Sequence, residues 1–443
     1  MTRFDPVGPL RGSLRPPSDK SISHRAALIA AMGEGKATVR GYLDAADTRS
    51  TLAAVGALGA EVREEGADGT GLALRVRGVG LRGPRPAAID VGNAGTLLRL
   101  LPGWLAGQAG GAWTLDGDES IRRRPVDRVA VPLRRMGAAL SCRDDRLPPL
   151  RVEGAPLRGI EYDLPVASAQ VKSCLLLAGL LAEGETRVVE PLPSRDHSER
   201  MLRAAGAPVR GGGDAAAGDA PDAAPRTVSV TGPVERLELP PLTVPADISS
   251  AAFFLVAALL VPGSEVALES VGVNPTRTGL LAILARMGAE VEVEPGPTAG
   301  GEPTALLRAR PAPLRGVEVG GADVPLAIDE LPLVALAACF AEGTTKIADA
   351  AELRRKESDR IATVCEALNA LGGRAEPTAD GLVIEGTGGL RGGVVDSHGD
   401  HRIAMLGAVA GLASREGVEV RGMDAAAVSY PGFAADLRSL LAR

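Results

Sequence analysis

Seven short polar segments interrupt a chain rich in Ala, Leu and Val, and their side chains suit the binding of small anions and the movement of protons. Ser18-Asp19-Lys20-Ser21-Ile22-Ser23-His24-Arg25 sets an ammonium, a hydroxyl and a guanidinium around what reads as a helix start, a set that fits a phosphate or a carboxylate. Gly92-Asn93-Ala94-Gly95-Thr96 puts a glycine where a ligand could approach the backbone, and Arg99 follows within two turns. In Arg122-Arg123-Arg124-Pro125, Arg124 is pinned by the proline and is the candidate ligand contact, whereas Arg122 and Arg123 are expected in solvent or in ion pairs. The others are Ala167-Ser168-Ala169-Gln170-Val171-Lys172-Ser173, Ile328-Asp329-Glu330, Arg354-Arg355-Lys356-Glu357-Ser358-Asp359-Arg360 and Gly399-Asp400-His401-Arg402. Each also has a purely structural reading. The Arg354–Arg360 run could be a solvated helix face, Asp329 a plain helix cap, and His24 and His197 hydrogen-bonded residues without catalytic work.

Residue usage sharpens the first reading. There are only five lysines against 44 arginines, and Lys20, Lys172 and Lys356 all fall inside these segments. A lysine kept where arginine is the rule suggests a need for a compact, titratable ammonium. The four histidines also lie in or beside motif-like segments: His24, His398 and His401 in or beside those above, and His197 in Ser194-Arg195-Asp196-His197.

The elements that must position these groups show a repeat. A polar residue opens an Ala/Leu-rich helix, a glycine ends it, and a Val/Thr-rich strand follows. Those glycines are Gly35, Gly110, Gly184, Gly263, Gly343 and Gly417, spaced by 75, 74, 79, 80 and 74 residues. In parallel, Leu58-Gly59, Met136-Gly137, Ala205-Gly206, Met287-Gly288 and Leu371-Gly372 each read as a helix end followed by strand, turn and strand. Each unit is thus βαβαββ in outline, and six units in 443 residues fit two three-unit domains. The Pro-rich stretch at 238–246 is expected to be the hinge, with 18–243 as one lobe and 1–17 plus 244–443 as the other. Gly211–Pro225 and Glu294–Pro303 read as floppy hairpin tips that carry no chemistry. The residues opening the helices, Ser21, Asn93, Ser168, Asp247, Asp329 and Asp400, are all good N-caps. Within three-unit domains they would converge and aim backbone N–H groups at one anion site.

Composition excludes several classes. Ten aromatic residues make up 2% of the chain, and the net charge is −6; both argue against a nucleic-acid or anionic-membrane partner, and so against a nucleic-acid ring or clamp. Cys142, Cys174, Cys339 and Cys365 are scattered without metal-ligand spacing, which fits free thiols in a reducing compartment and no metal site. The longest apolar run, Ala251–Val261, is too short to span a bilayer. A cytoplasmic monomer is expected.

Taken together, these segments resemble the 5-enolpyruvylshikimate-3-phosphate synthase (3-phosphoshikimate 1-carboxyvinyltransferase) family of enolpyruvyl transferases. The motifs are Ser18–Arg25, Asn93-Ala94-Gly95-Thr96, Arg124-Pro125, Ser168-Ala169-Gln170, Ser194-Arg195-Asp196-His197, Arg354–Arg360 and Gly399–Arg402. The resemblance runs from about Pro9 to the C-terminus. It implies a two-lobed inside-out α/β barrel of six βαβαββ repeats, three per lobe, whose N-terminal strand returns to the C-terminal lobe and whose lobes close on substrate. It implies shikimate 3-phosphate contacts from Lys20, Ser21, Arg25, Ser168, Gln170, Ser194, Asp329 and Lys356. It implies phosphoenolpyruvate contacts from Lys20, Gly95, Arg124, Gln170, Arg360 and Arg402. Catalytic roles fall on Lys20, on Asp329 as acceptor of the 5-hydroxyl proton, and on Lys356 and Glu357 near the C3 methylene. No cofactor or metal is implied.

Three features bear on this resemblance. Val428 stands where many members carry a lysine before the aromatic-Pro pair, here Tyr430-Pro431, so one phosphoenolpyruvate contact is missing or is supplied by another arginine. Glu352 stands where some members carry an asparagine. Gly95 has the residue typical of glyphosate-sensitive enzymes. The sister enzyme acting on UDP-N-acetylglucosamine is the alternative; it uses a Cys in a loop corresponding to Asp116–Pro125, which has none here, and a Lys-Asn pair where this chain has Lys20-Ser21.

Overall fold

Glycine placement sets the frame of the first five repeats. The helices Ala46–Ala57, Asp127–Arg135, His197–Ala204, Gly279–Arg286 and Arg360–Ala370 each run into one capping residue and then Gly59, Gly137, Gly206, Gly288 or Gly372. Those five glycines have φ between +88° and +107°, the left-handed region that closes a helix at little cost only when no Cβ is present. The structure, a computed structural model, describes residues 1–67, 69–212 and 225–441. Most of the Gly211–Pro225 stretch therefore lies outside the described residues.

Among the described residues, six small sheets follow the six repeats. The second is representative. Ala88–Asp90 pairs parallel with Ala112–Asp116, and the hairpin Ala139–Arg143 and Leu147–Glu153 adds on with Leu147–Glu153 innermost. The helix Gly95–Ala106 lies between the two parallel strands in sequence, as a parallel pair requires. Two sheets take their first strand from elsewhere in the chain. Leu242–Thr243, within the Pro-rich stretch, pairs parallel with Val39 and Arg40, and Arg11–Leu14 pairs parallel with Glu265–Leu268. In the sixth repeat Thr2–Phe4 lies antiparallel on Val418–Val420 in place of a hairpin, giving a sheet of three strands.

The chain forms two units, Ser18–Pro245 with Thr298–Glu302, and Met1–Pro17 with Ala246–Pro297 and Pro303–Arg443. Each has its own core. The first helix of each repeat is apolar nearly all round and is buried accordingly. Gly95–Ala106 buries eleven of its twelve residues, and Ile248–Leu260 buries all thirteen. Close packing of these helices depends on small residues: a Cβ on Gly103 would stand 2.1 Å from the Cys174 carbonyl oxygen of the helix Ala169–Gly179. Four of the ten aromatics, Phe253, Phe254, Tyr430 and Phe433, form one cluster with ring centroids 5.4–5.8 Å apart, which gives the Tyr430-Pro431 pair a packing role. No helix among the described residues is long and apolar enough to cross a membrane.

One expectation needs correction. The tip of the hairpin within Glu294–Pro303 is not loose, because Glu302 is 1% exposed and its carboxylate lies 2.8 Å from His197 Nδ1. A buried carboxylate is stable only with a partner, and here the partner fixes the tip.

Candidate active site

In the unit containing Ser18–Pro245, three helix starts are linked by side chains. The helix Lys20–Met32 is capped by Asp19, whose Oδ1 accepts from the Ile22 amide at 2.8 Å. Arg25, one turn on, donates from Nε to Ser198 Oγ at 2.7 Å and from Nη2 to Ser173 Oγ at 2.9 Å. Its guanidinium therefore joins the first repeat to both helices of the third. Gln170 Oε1 accepts from Arg99 Nη1 at 2.7 Å, and Gln170 Nε2 donates to Thr96 Oγ1 at 3.2 Å, which ties the second repeat to the third. Arg195 reaches Ser21 Oγ at 3.5 Å. The segments expected to converge here do so.

Around Gly95 the contacts are tight. Arg124 donates from Nη2 to Asn93 Oδ1 at 2.8 Å and to Ser120 Oγ at 3.1 Å. A Cβ on Gly95 would lie 2.8 Å from Arg124 Nη1, so a glycine is needed for the arginine to stand there. Lys20 Nζ is 3.1 Å from Asp47 Oδ2. His24 bonds Thr51 Oγ1 at 2.6 Å, and its complete burial pushes its pKa down to about 3 despite the nearby Asp47; it is a neutral structural histidine. Arg122 pairs with Asp116 and Arg123 with Glu119 at exposed positions, as expected of them.

The other unit gathers acids with its cations. Asp329 Oδ1 lies 3.1 Å from Lys356 Nζ and 3.2 Å from Arg360 Nη1. Arg360, 1% exposed, also donates to Asp400 Oδ2 at 2.8 Å and to Glu357 Oε2 at 2.5 Å. Burial raises the Asp400 pKa and Arg360 more than offsets that, holding the carboxyl below its ordinary value. Arg402 Nη2 is 4.0 Å from Asp329 Oδ2, and its Nη1 is 3.5 Å from Glu330 Oε1. Glu330 accepts from Ser249 Oγ, which in turn accepts from Arg277 at 2.7 Å. Arg277 also meets Asp247, the cap of the fourth repeat's helix, at 3.1 Å. Three helix starts are again joined, but with carboxylates matching the guanidiniums rather than leaving a bare cationic cradle.

Three of the six expected N-caps are in place: Ser168, Asp247 and Asp400. The other three are displaced by a residue or two. Asp19 replaces Ser21, Ala94 precedes the helix at Gly95, and Glu330 precedes the helix at Leu331. The reason is competition for the side chains. Asn93 is engaged by Arg124 and Asp118, and Asp329 by Lys356 and Arg360.

Sequence reading missed most of the counter-charges. Asp47, Glu190, Glu199 and Arg277 lie outside the polar segments, yet they neutralise or orient the groups inside them. Lys172 is also elsewhere than its segment suggested: it is 1% exposed and clamped between Glu190 and Glu199, each at 2.7 Å. The Arg354–Arg360 run is not a solvated face, since Arg354 pins it to the Thr378 and Ala379 carbonyls and Arg360 is buried. Val428 ends the short helical turn Met423–Val428 and is half-buried. Among the described residues, Asp196, His197 and Glu302 bring possible cation ligands within 4.8 Å of one another. The Asp196 carboxylate already receives Arg200 Nε at 3.0 Å on both oxygens, which supplies the positive charge a cation would bring.

Comparison with known proteins agrees along the whole chain. The family model described as EPSP synthase (3-phosphoshikimate 1-carboxyvinyltransferase) matches residues 4–437. A 3-phosphoshikimate 1-carboxyvinyltransferase from Synechococcus sp. (strain JA-3-3Ab) is 51% identical over 99% of this chain and 96% of its own length. One from Thermus thermophilus is 52% identical over 99% of each. The structure of EPSP synthase from Acinetobacter baumannii superposes with a TM-score of 0.84 at 42% identity, covering 99% of this chain and 97% of that one. The enolpyruvyl transferase NikO from Streptomyces tendae, at 20% identity and a TM-score of 0.73 over 99% of this chain and 96% of that one, shares the fold. The chain belongs to the EPSP synthase (3-phosphoshikimate 1-carboxyvinyltransferase) family.

Proposed function

We propose that this chain transfers the enolpyruvyl group of phosphoenolpyruvate to the 5-hydroxyl of shikimate 3-phosphate and releases phosphate. The observation that carries this reading is Asp329, a carboxylate with Lys356 and Arg360 within 3.2 Å and Glu357 on the same arginine, in a chain that matches the family from end to end. The mostly cationic group, with Lys20, Ser21, Arg25, Ser168, Gln170 and Ser194, would meet shikimate 3-phosphate, together with Asp329 and Lys356. Lys20, Gly95, Arg124, Gln170, Arg360 and Arg402 would meet phosphoenolpyruvate, whose carboxylate and phosphate suit guanidinium forks. With Val428 in place of the lysine found in many members, Arg124, Arg360 and Arg402 would carry that charge.

The chemistry needs positioned acids and bases. Protonation of C3 of phosphoenolpyruvate makes C2 electrophilic, with oxocarbenium character. The 5-hydroxyl oxygen adds to C2 as its proton passes to Asp329, giving a tetrahedral intermediate. Loss of a C3 proton and departure of phosphate then restore the double bond on the new ether. Lys356 and Glu357 handle the C3 proton in this reading. The balance of acids and cations around Arg360 suits proton transfer, and the cationic group around Lys20 and Arg124 suits binding. Action as a monomer in the cytoplasm belongs to the same reading; the four free cysteines, three of them buried, fit a reducing compartment.

The test is phosphate release from phosphoenolpyruvate with either shikimate 3-phosphate or UDP-N-acetylglucosamine as acceptor. Release only with shikimate 3-phosphate is expected. Release only with the nucleotide sugar would transfer the chain to the sister activity, and none with either would overturn the reading.

A further inference from the structure

Ser194 lies in the six-residue connection between the strand Gly184–Glu190 and the helix His197–Ala204. One buried ammonium ties both ends of that connection and its middle. Lys172 Nζ is 2.7 Å from Glu190 Oε2, at the last residue of the strand, and 2.7 Å from Glu199 Oε1, in the first turn of the helix. It is also 3.4 Å from the Ser194 carbonyl oxygen, and the Ser194 hydroxyl donates to the other oxygen of Glu190. Lys172 itself belongs to the helix Ala169–Gly179, which starts at the Ser168 cap and carries Gln170 in its first turn.

Two carboxylates against one ammonium leave this buried cluster without positive charge to offer an anion. Lys172 is therefore not a phosphate ligand, although its segment and the scarcity of lysine suggested one. Burial lowers the Lys172 pKa, and Glu199 and Glu190 outweigh that and raise it, so the ammonium stays charged. What the cluster does is mechanical: it fixes a short polar connection from underneath.

We propose that Lys172 is a positioning residue, whose ammonium cross-ties Glu190, Glu199 and the Ser194 backbone so that the connection carrying Ser194 is fixed in place, and that the Ser194 hydroxyl, which donates to Glu190 in this structure, turns its proton to the 3-phosphate when the substrate binds. This rests on the reading of Ser194 and Ser168 as shikimate 3-phosphate contacts. A connection released from its tie would have to be ordered on binding. The loss falls on recognition of the phosphate, not on the ring of the substrate or on turnover.

The experiment compares calorimetric dissociation constants for shikimate 3-phosphate and for shikimate, which lacks the phosphate, with kcat at saturation. Lys172→Met alone leaves two buried carboxylates unpaired and can fail to fold. Lys172→Met/Glu199→Gln restores the net charge of the cluster without restoring the tie, and it keeps the test open. For the double variant we expect shikimate 3-phosphate affinity to fall about tenfold, with shikimate affinity and kcat within about twofold of the starting values. Equal weakening of both ligands, or unchanged shikimate 3-phosphate affinity, overturns the positioning role. Ser194→Ala separates the two layers. If it leaves shikimate 3-phosphate affinity intact, Ser194 is not a phosphate contact, and that assignment falls together with this inference.

Discussion

At the scale of single residues, charged groups in the candidate site compete for the same partners. Arg360 is shared among Asp329, Glu357 and Asp400, so removing the charge of one acid redistributes the rest. Glu357→Gln keeps the shape and a hydrogen-bond acceptor for Arg360 while removing the titratable group. Turnover should fall on the order of 10²-fold or more with substrate dissociation constants nearly unchanged, as read by steady-state kinetics and calorimetry. Surviving turnover would hand the C3 proton to Lys356. Gly95 offers a second test. Because a Cβ there would press on Arg124 Nη1 at 2.8 Å, Gly95→Ala should raise both the KM for phosphoenolpyruvate and the inhibition constant for glyphosate, the latter more. The unsubstituted protein should be inhibited by glyphosate; full activity at millimolar inhibitor would refute the crowding argument.

At the scale of elements, the first helix of each repeat is both core and site scaffold. Lys20–Met32 buries eleven of its thirteen residues, His24 among them. A histidine whose pKa is about 3 in the folded state and 6.5 when unfolded is protonated more readily by the unfolded chain. Its contribution is full above the unfolded value and is lost as the pH falls from 6.5 toward 3. By pH 5 roughly 2 kcal/mol of the stability present at pH 8 should be gone through this group alone. Urea unfolding at both pH values checks it, and His24→Asn should flatten the difference. An equally steep profile in the variant would place the pH dependence elsewhere. The same helix shows how cap and ligand roles divide: Asp19 caps it, which leaves Lys20 and Ser21 in the first turn with their side chains available for other partners.

At the scale of the whole molecule, the tip Thr298–Glu302 packs as part of the unit formed by Ser18–Pro245, and the buried His197–Glu302 contact fixes it there. Limited proteolysis should therefore spare 298–302. Glu302→Ala, which strands a buried imidazole, should cost about 1–3 kcal/mol in urea unfolding and expose the tip to cleavage. Prompt cleavage of the unsubstituted chain at the tip would contradict the packing. The contrast with the expected floppy tip shows where sequence reading stops. Repeat length, helix ends and strand positions were legible because each depends on local chemistry: a left-handed glycine, a capping oxygen, an alternation of Val and Thr. The cationic character of the polar segments was legible for the same reason, as were the motifs that the family shares. Tertiary structure alone decided which charges meet. The placement of Lys172 between Glu190 and Glu199, the diversion of Asp329 and Asn93 from capping, and the loan of Arg11–Leu14 and Leu242–Thr243 to distant sheets all join residues far apart in the chain. Pairings of that kind are selected by burial and by the cost of leaving a charge or a strand edge unpaired, and neither quantity exists until the chain has folded.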